Sequence, residues 1–305
     1  MKQRLWIRTT HSISIITRST FLTLIFPKAF RNSVIFGLSI LTVCARNAAA
    51  SEVLVLDKDT GISLREGFAA ELLYEVPKAQ GSWVAMAFDL KGRLIVSDQD
   101  DKGAFRVTLP VGGAGIKVES LPGFPYEPVD WGKRKVGSAL GFLYAFDSLY
   151  MANMRGFYRI RDTDGDDQFD EFTLLKKLNV GYEHSAHSII PTADGKGLYL
   201  VSGNFTRVPE GTVSMQPPVW QEDSLIPSFP DPMGHAVWLK APGGWVCRIS
   251  PDGKDWKMIT SGFRNSVNIA LNREGELFTY DSDMEFDVGC LRRSTLPRLF
   301  GKPSG

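Results

Sequence analysis

From Ser51 onward the apolar residues come in short runs broken by Gly and Pro. No stretch keeps the 3.6-residue period of an amphipathic helix long enough to build a helical layer. Such a pattern predicts many short strands joined by turns, an all-β chain. One unit recurs: an Asp or Glu, a turn, then a run of large apolar residues ending in a polar one. It reads Asp89-Leu90-Lys91-Gly92-Arg93-Leu94-Ile95-Val96-Ser97-Asp98, and again Asp147-Ser148-Leu149-Tyr150-Met151-Ala152-Asn153. It returns as Asp194-Gly195-Lys196-Gly197-Leu198-Tyr199-Leu200-Val201-Ser202-Gly203-Asn204, and as Glu274-Gly275-Glu276-Leu277-Phe278-Thr279-Tyr280-Asp281.

Each copy predicts a tight hairpin feeding an apolar strand of a four-stranded blade. Leu94, Leu149, Leu198 and Leu277 recur at intervals of 55, 49 and 79 residues. A period near 50 predicts a β-propeller; a β-sandwich with chance likeness among its hairpins is the competing reading. The longest interval holds a Pro-rich insertion, Pro209 to Pro242, expected to be a loop carried on one face. Outer strands are expected at Phe105-Arg106-Val107, Phe157-Tyr158-Arg159-Ile160 and Trp245-Val246-Cys247-Arg248-Ile249.

Composition changes this picture mainly at the N-terminus. With 43% apolar residues, 7 Trp and 19 Phe in 305 residues, the chain can fill a sizeable core. The net charge of +1 hides an asymmetry, because residues 1 to 50 carry seven Lys or Arg and no acid. Taking those seven from 35 leaves 28 basic against 34 acidic residues, a net charge of −6. That sign argues against a nucleic-acid partner, which needs a basic footprint. Residues 1–50 read as a signal peptide: a basic segment to Arg31, an apolar stretch Val34 to Cys44, then Ala48-Ala49-Ala50. The apolar stretch is too short to span a bilayer. An organelle transit peptide is the other reading of this leader; the signal peptide implies a periplasmic or secreted protein. Cys247 and Cys290 then remain, without CxxC spacing, and no CxxCH haem-attachment motif occurs.

Three segments carry candidate chemistry. Asp162, Asp164, Asp166 and Asp170 alternate around a turn, which suits the hard oxygen shell of Ca²⁺. Asp167 occupies the usual glycine of an EF-hand loop and Thr173 its bidentate glutamate position, so a solvated acidic turn fits equally. His184 and His187 share one segment ahead of the third hairpin, where the blades of a propeller line its channel; a histidine there can exchange a proton near neutral pH. Packed histidines are the plainer reading. His235, in the insertion, is read as loop. Arg264 and Asn265 precede the fourth hairpin and offer a planar donor fork and an amide. The acidic run Asp281, Asp283, Glu285, Asp287 either solvates an edge or binds a cation.

Taken together these segments resemble the soluble quinoprotein glucose and sorbosone dehydrogenases, six-bladed propellers that use pyrroloquinoline quinone (PQQ) and calcium. The likeness runs from about Gly67 to Gly289 and is nearest to exported dehydrogenases fused to a c-type haem domain. It is carried by Gly67-Phe68, by Glu183-His184-Ser185-Ala186-His187 leading to Asp194-Gly195 and Gly203-Asn204, and by Gly262-Phe263-Arg264-Asn265 leading to Tyr280-Asp281. The resemblance implies oxidation of a sugar, alcohol or aldehyde, with His184 as general base and His187 the second choice. It also implies that Arg264 and Asn265 contact the quinone carboxylates and that a c-type haem accepts electrons. Asn204 stands where the family usually has aspartate. Residues 51–289 hold four to five blades rather than six, and the basic tail 290–305 breaks the strand pattern. A partial propeller with an unstructured tail, cut from a longer protein, is therefore expected. The rival function is a non-catalytic propeller that binds a carbohydrate or another ligand.

Overall fold

The computed structural model describes residues 3–9, 54–57, 61–65, 68–110, 115–126, 129–131, 134–136, 139–178, 184–215, 239, 242–282 and 298–299. The chain divides into two compact units, Arg4–Glu75 and Val76–Gly305. In the smaller, Leu54–Asp57 pairs with Ile62–Arg65, and Gln3–Thr9 forms a strand beside Ala69–Val76. The apolar stretch and the alanines of the leader lie outside the described residues, as do His235 and Cys290.

The larger unit is built from antiparallel sheets in which each strand pairs with the next in the chain. The first sheet is Trp83–Phe88, Leu94–Asp98, Ala104–Thr108 and Lys117–Leu121. The second is Gly141–Ala145, Ser148–Ala152, Gly156–Arg161 and Glu171–Lys177. The third is Ala186–Pro191, Leu198–Ser202, Gly244–Ile249 and Trp256–Phe263, with Val213–Ser214 from the Pro-rich insertion added parallel to its last strand. A fourth sheet has Ile269–Leu271, Leu277–Thr279 and Arg298–Leu299, the last drawn from the basic tail. The first strand of each sheet touches the first strand of the next, which is how propeller blades succeed one another. Among the described residues there is no α-helix; a single turn of 3₁₀ helix spans Lys78–Gln80.

The four leucines of the repeat all lie on second strands, and the expected outer segments are the third strands. Second strands are mostly apolar and almost wholly buried because both of their faces are covered. Leu149 and Met151 point into a core shared with Ala85, Ile95 and Leu121 of the first sheet. Their neighbours Tyr150 and Ala152 point the other way, against Ile189, Leu198, Leu200, Trp245 and Trp256 of the third sheet. Val201, Val246 and Phe263 then meet Ile269 and Leu277 of the fourth. Polar side chains that cross these cores are satisfied: Tyr150 Oη donates to the Pro251 carbonyl at 2.8 Å, and Trp245 Nε1 to the Thr206 carbonyl at 2.8 Å. The first strand of the first sheet differs, with Ala85 buried and Val84, Met86 and Phe88 44–58% exposed on its other face.

The hairpin turns are held by side chains that mimic a backbone turn. Asp89 Oδ1 accepts the N–H groups of Lys91 and Arg93, both at 2.9 Å. In the fourth hairpin the same part is taken by Asn272, whose Oδ1 accepts from Glu274 and Glu276 at 3.1 and 2.7 Å, rather than by Glu274. The second hairpin turns on Phe146 and Asp147 alone, both with φ of 51°, the double left-handed geometry of a type I′ turn.

Two-sided burial sets an expected hierarchy of stability. Leu200→Ala, at a fully buried position, should cost about 2–5 kcal/mol, while Met86→Ala should stay within about 0.5 kcal/mol. Urea unfolding of both variants checks this; equal losses would overturn it.

Candidate active site

The segment that enters the third sheet and the segment that leaves it meet at one end of its strands. His184 Nδ1 lies 2.7 Å from Asn204 Oδ1, and His187 Nε2 lies 3.1 Å from Asn265 Oδ1. With amide oxygens accepting, His184 carries its proton on Nδ1 and its lone pair on Nε2; His187 has the opposite tautomer. Backbone bonds fix the frame: Gly203 N–H to the Ser185 carbonyl at 2.9 Å, Phe205 N–H to the His184 carbonyl at 3.2 Å, and Asn204 N–H to the Arg264 carbonyl at 2.8 Å. The five residues His184, His187, Asn204, Arg264 and Asn265 are thus brought into one network from positions up to 81 apart in the chain.

Both imidazoles are nearly enclosed, His184 at 4% exposure and His187 at 7%. The Phe205 ring packs against His184 with centroids 4.7 Å apart. Two glycines permit the close approach. A Cβ on Gly203 would fall 2.7 Å from Asn265 Oδ1 and 2.8 Å from His184 Cβ. One on Gly141 would fall 1.8 Å from the His187 carbonyl, so the second sheet can reach the third only without a side chain there. Burial pushes the His187 imidazole below the ordinary histidine value; the Asn265 hydrogen bond opposes this and the nearby His184 adds to it.

The network is a variant of a device present in the other sheets. Four residues after the repeat leucine, the first, second and fourth sheets place a polar side chain that reaches back to a loop. Asp98 accepts N–H bonds from Ser82, Asp100 and Lys102. Asn153 accepts from Arg155 and Gly156 and donates to the Pro125 carbonyl. Asp281 accepts from the N–H of Arg264 at 2.7 Å, the N–H of Asn265 at 2.8 Å and the hydroxyl of Ser266 at 3.2 Å. In the third sheet that register holds Ser202, fully buried with its hydroxyl 3.4 Å from the Gly203 carbonyl, and Asn204, two residues further on, turns its side chain to a histidine. Asp281 therefore faces inward, where a backbone loop uses both its oxygens; the remainder of the acidic run lies outside the described residues.

The acidic turn is a separate place. Asp162, Asp164 and Asp166 bring carboxylate oxygens within 4.8 Å of one another, all exposed. Asp170 lies outside that group, its oxygens accepting the N–H and hydroxyl of Thr163 at 2.9 and 2.6 Å. Asp167 adopts the left-handed φ of 72° expected where an EF-hand has glycine. Its carboxylate instead receives Arg93 Nη1 and Nη2 at 2.5 and 2.6 Å, and Lys91 Nζ at 2.9 Å. The Arg93 guanidinium holds that carboxyl well below the usual carboxylate range. Cys247 is free and buried, and burial pushes its thiol pKa up.

No family model matches the chain, and no curated protein matches it. Among solved structures it is similar to the PQQ-bound form of an aldose sugar dehydrogenase from Streptomyces coelicolor, with 19% identity and a TM-score of 0.44 over 66% of this chain and 56% of that one. It is also similar to the holo form of the pyranose dehydrogenase PQQ domain from Coprinopsis cinerea, with 12% identity and a TM-score of 0.42 over 72% of this chain and 47% of that one. A nidogen/laminin complex gives 10% identity and a TM-score of 0.40 over 75% and 65%. The chain spans about half the length of the two dehydrogenase structures.

The pH dependence of His187 follows in sign from its burial. Its folded-state pKa lies below that of the unfolded chain, so its contribution to stability is full above about pH 6.5 and is lost as pH falls through the folded value. The difference in unfolding free energy between wild type and His187→Gln should therefore shrink on acidification, as read by denaturant titration at several pH values. A difference that grows instead would contradict the buried, neutral imidazole.

Proposed function

We propose that this chain is the propeller part of an exported quinoprotein-type dehydrogenase that oxidises a sugar, alcohol or aldehyde with PQQ and calcium. The observation that carries the reading is the convergence of His184, His187, Asn204, Arg264 and Asn265, the residues marked by the sequence resemblance, in a single hydrogen-bonded network. The donor set suits the cofactor: a guanidinium and side-chain amide N–H groups suit an anionic tricarboxylate, and the nearby Asp281 carboxylate is engaged by the loop it caps.

PQQ, when bound, would supply an ortho-quinone able to accept a hydride, two electrons with one proton, from the substrate carbon. Arg264 and Asn265 would hold its carboxylates. His184 Nε2 takes the proton of the substrate hydroxyl, a role that needs the lone pair there, and Asn204 keeps it there by accepting the Nδ1 proton. Asparagine in place of aspartate accepts the Nδ1 proton without placing a negative charge beside the ring. Phe205 packs against the His184 ring and limits its movement. Export to the periplasm or medium rests on the reading of residues 1–50, and electron transfer to a c-type haem partner on the family resemblance. Calcium is assigned to Asp162, Asp164 and Asp166, where it stiffens a loop that Arg93 already ties to the first sheet.

Two measurements test this. After reconstitution with PQQ and calcium, dye reduction with aldoses, alcohols or aldehydes should appear, and His184→Ala should lower it by about 10²–10⁴-fold. Binding of a sugar with no dye reduction under any donor would replace the enzyme with a binding propeller. Independently, calcium should raise the melting temperature by about 2–4 °C for each kcal/mol of binding linkage, an effect removed by Asp164→Asn. Identical melting in calcium and in chelator would withdraw the metal.

A further inference from the structure

We propose that Asp281 is the positioning residue for both imidazoles. Its carboxylate fixes the 264–266 loop through three donors, the N–H of Arg264, the N–H of Asn265 and the hydroxyl of Ser266. Ser282 completes the grip, donating from Oγ to the Asn265 carbonyl at 3.2 Å and accepting from Arg264 Nη1 at 3.3 Å. Asn265 is then held at both its N–H and its carbonyl, which leaves its side-chain oxygen aimed at His187 Nε2. The same loop reaches the other histidine: the Arg264 carbonyl accepts the N–H of Asn204, whose side chain accepts the proton of His184 Nδ1. One carboxylate at the end of the Leu277–Thr279 strand therefore stands behind two imidazoles of the neighbouring sheet, touching neither.

Asn265 has little freedom to compensate if the grip is lost. Its Oδ1 lies so near Gly203 that a Cβ there would come within 2.7 Å. Ser266 is fully buried, so the loop cannot turn outward without exposing an unpaired hydroxyl site. A carboxylate matches the need because the loop presents three donors and no acceptor, whereas an amide would aim its own N–H groups at one of them.

The test reads tautomers rather than turnover, because the inference rests on the functional reading above only in treating these imidazoles as the working groups. Long-range ¹H–¹⁵N spectra of the wild-type imidazoles should show one fixed tautomer each, protonated at Nδ1 in His184 and at Nε2 in His187. Asp281→Asn should turn both into averaged tautomers. Asp98→Asn, which removes the counterpart in the first sheet with its own three backbone donors, should lower the melting temperature and leave both imidazole signatures in place. Ser266→Ala, which removes one donor and no charge, should shift the His187 signals in the same direction as Asp281→Asn by a smaller amount, and it stands in if that variant fails to fold. Unchanged imidazole signatures in the Asp281 and Ser266 variants would overturn the proposal, as would equal changes in the Asp98 variant. Absence of dye reduction in the wild type would sink the dehydrogenase reading and leave this result standing.

Discussion

The larger unit depends on second strands that are buried on both faces. A strand with one wet face can alternate, but a strand between two sheets buries side chains on both faces, and each such strand therefore links two cores. Tyr150 and Met151, adjacent in the chain, belong to different cores on opposite sides of one sheet. Stability is thus distributed as a series of nearest-neighbour interfaces, in the manner of repeat proteins. The third strands, which carry Phe157, Trp245 and Val246, complete these interfaces.

Burial of the second strand also sets the chemistry at its end. A strand that stops inside a packed array leaves loops whose N–H groups must find acceptors. Asp98, Asn153 and Asp281 meet that need with a side chain at the strand end, and the result is structural. In the third sheet the same register holds Ser202, and the loop beyond it is bonded through the backbone of Gly203, Asn204 and Phe205. The Asn204 side chain, two residues past the strand end, meets His184 instead of loop N–H groups.

This explains what could be read from the sequence and what could not. The hairpins were legible because two-sided burial writes an unbroken apolar run, and Leu94, Leu149, Leu198 and Leu277 mark it. His184, His187, Asn204, Arg264 and Asn265 stood out because they flank those runs. The part played by Asp281 was hidden, since a polar residue after a strand reads the same whether it meets water or three loop donors. The Arg93 grip on Asp167 was hidden for another reason: the partners are 74 residues apart, and nothing local marks either. Asn272 was passed over for Glu274, although its five-residue distance to Leu277 equals that from Asp89 to Leu94. Asp170 was counted with the other acids by spacing alone, and its pairing with Thr163 depends on how the hairpin closes.

The three hydrophobic seams are unequal. Among the described residues, those between the first and second and between the second and third sheets each gather ten or more buried residues, whereas the seam between the third and fourth gathers five: Val201, Val246, Phe263, Ile269 and Leu277. Sparse burial makes local opening cheap, so this seam is where amide exchange should begin in the larger unit. The His187 and Asn265 pair straddles the seam, because Asp281 anchors Asn265 to the fourth sheet. The His184 and Asn204 pair feels the same joint at one remove, through the Arg264 carbonyl that holds the Asn204 N–H. Opening of the seam thus reaches one imidazole through a side chain and the other through the backbone.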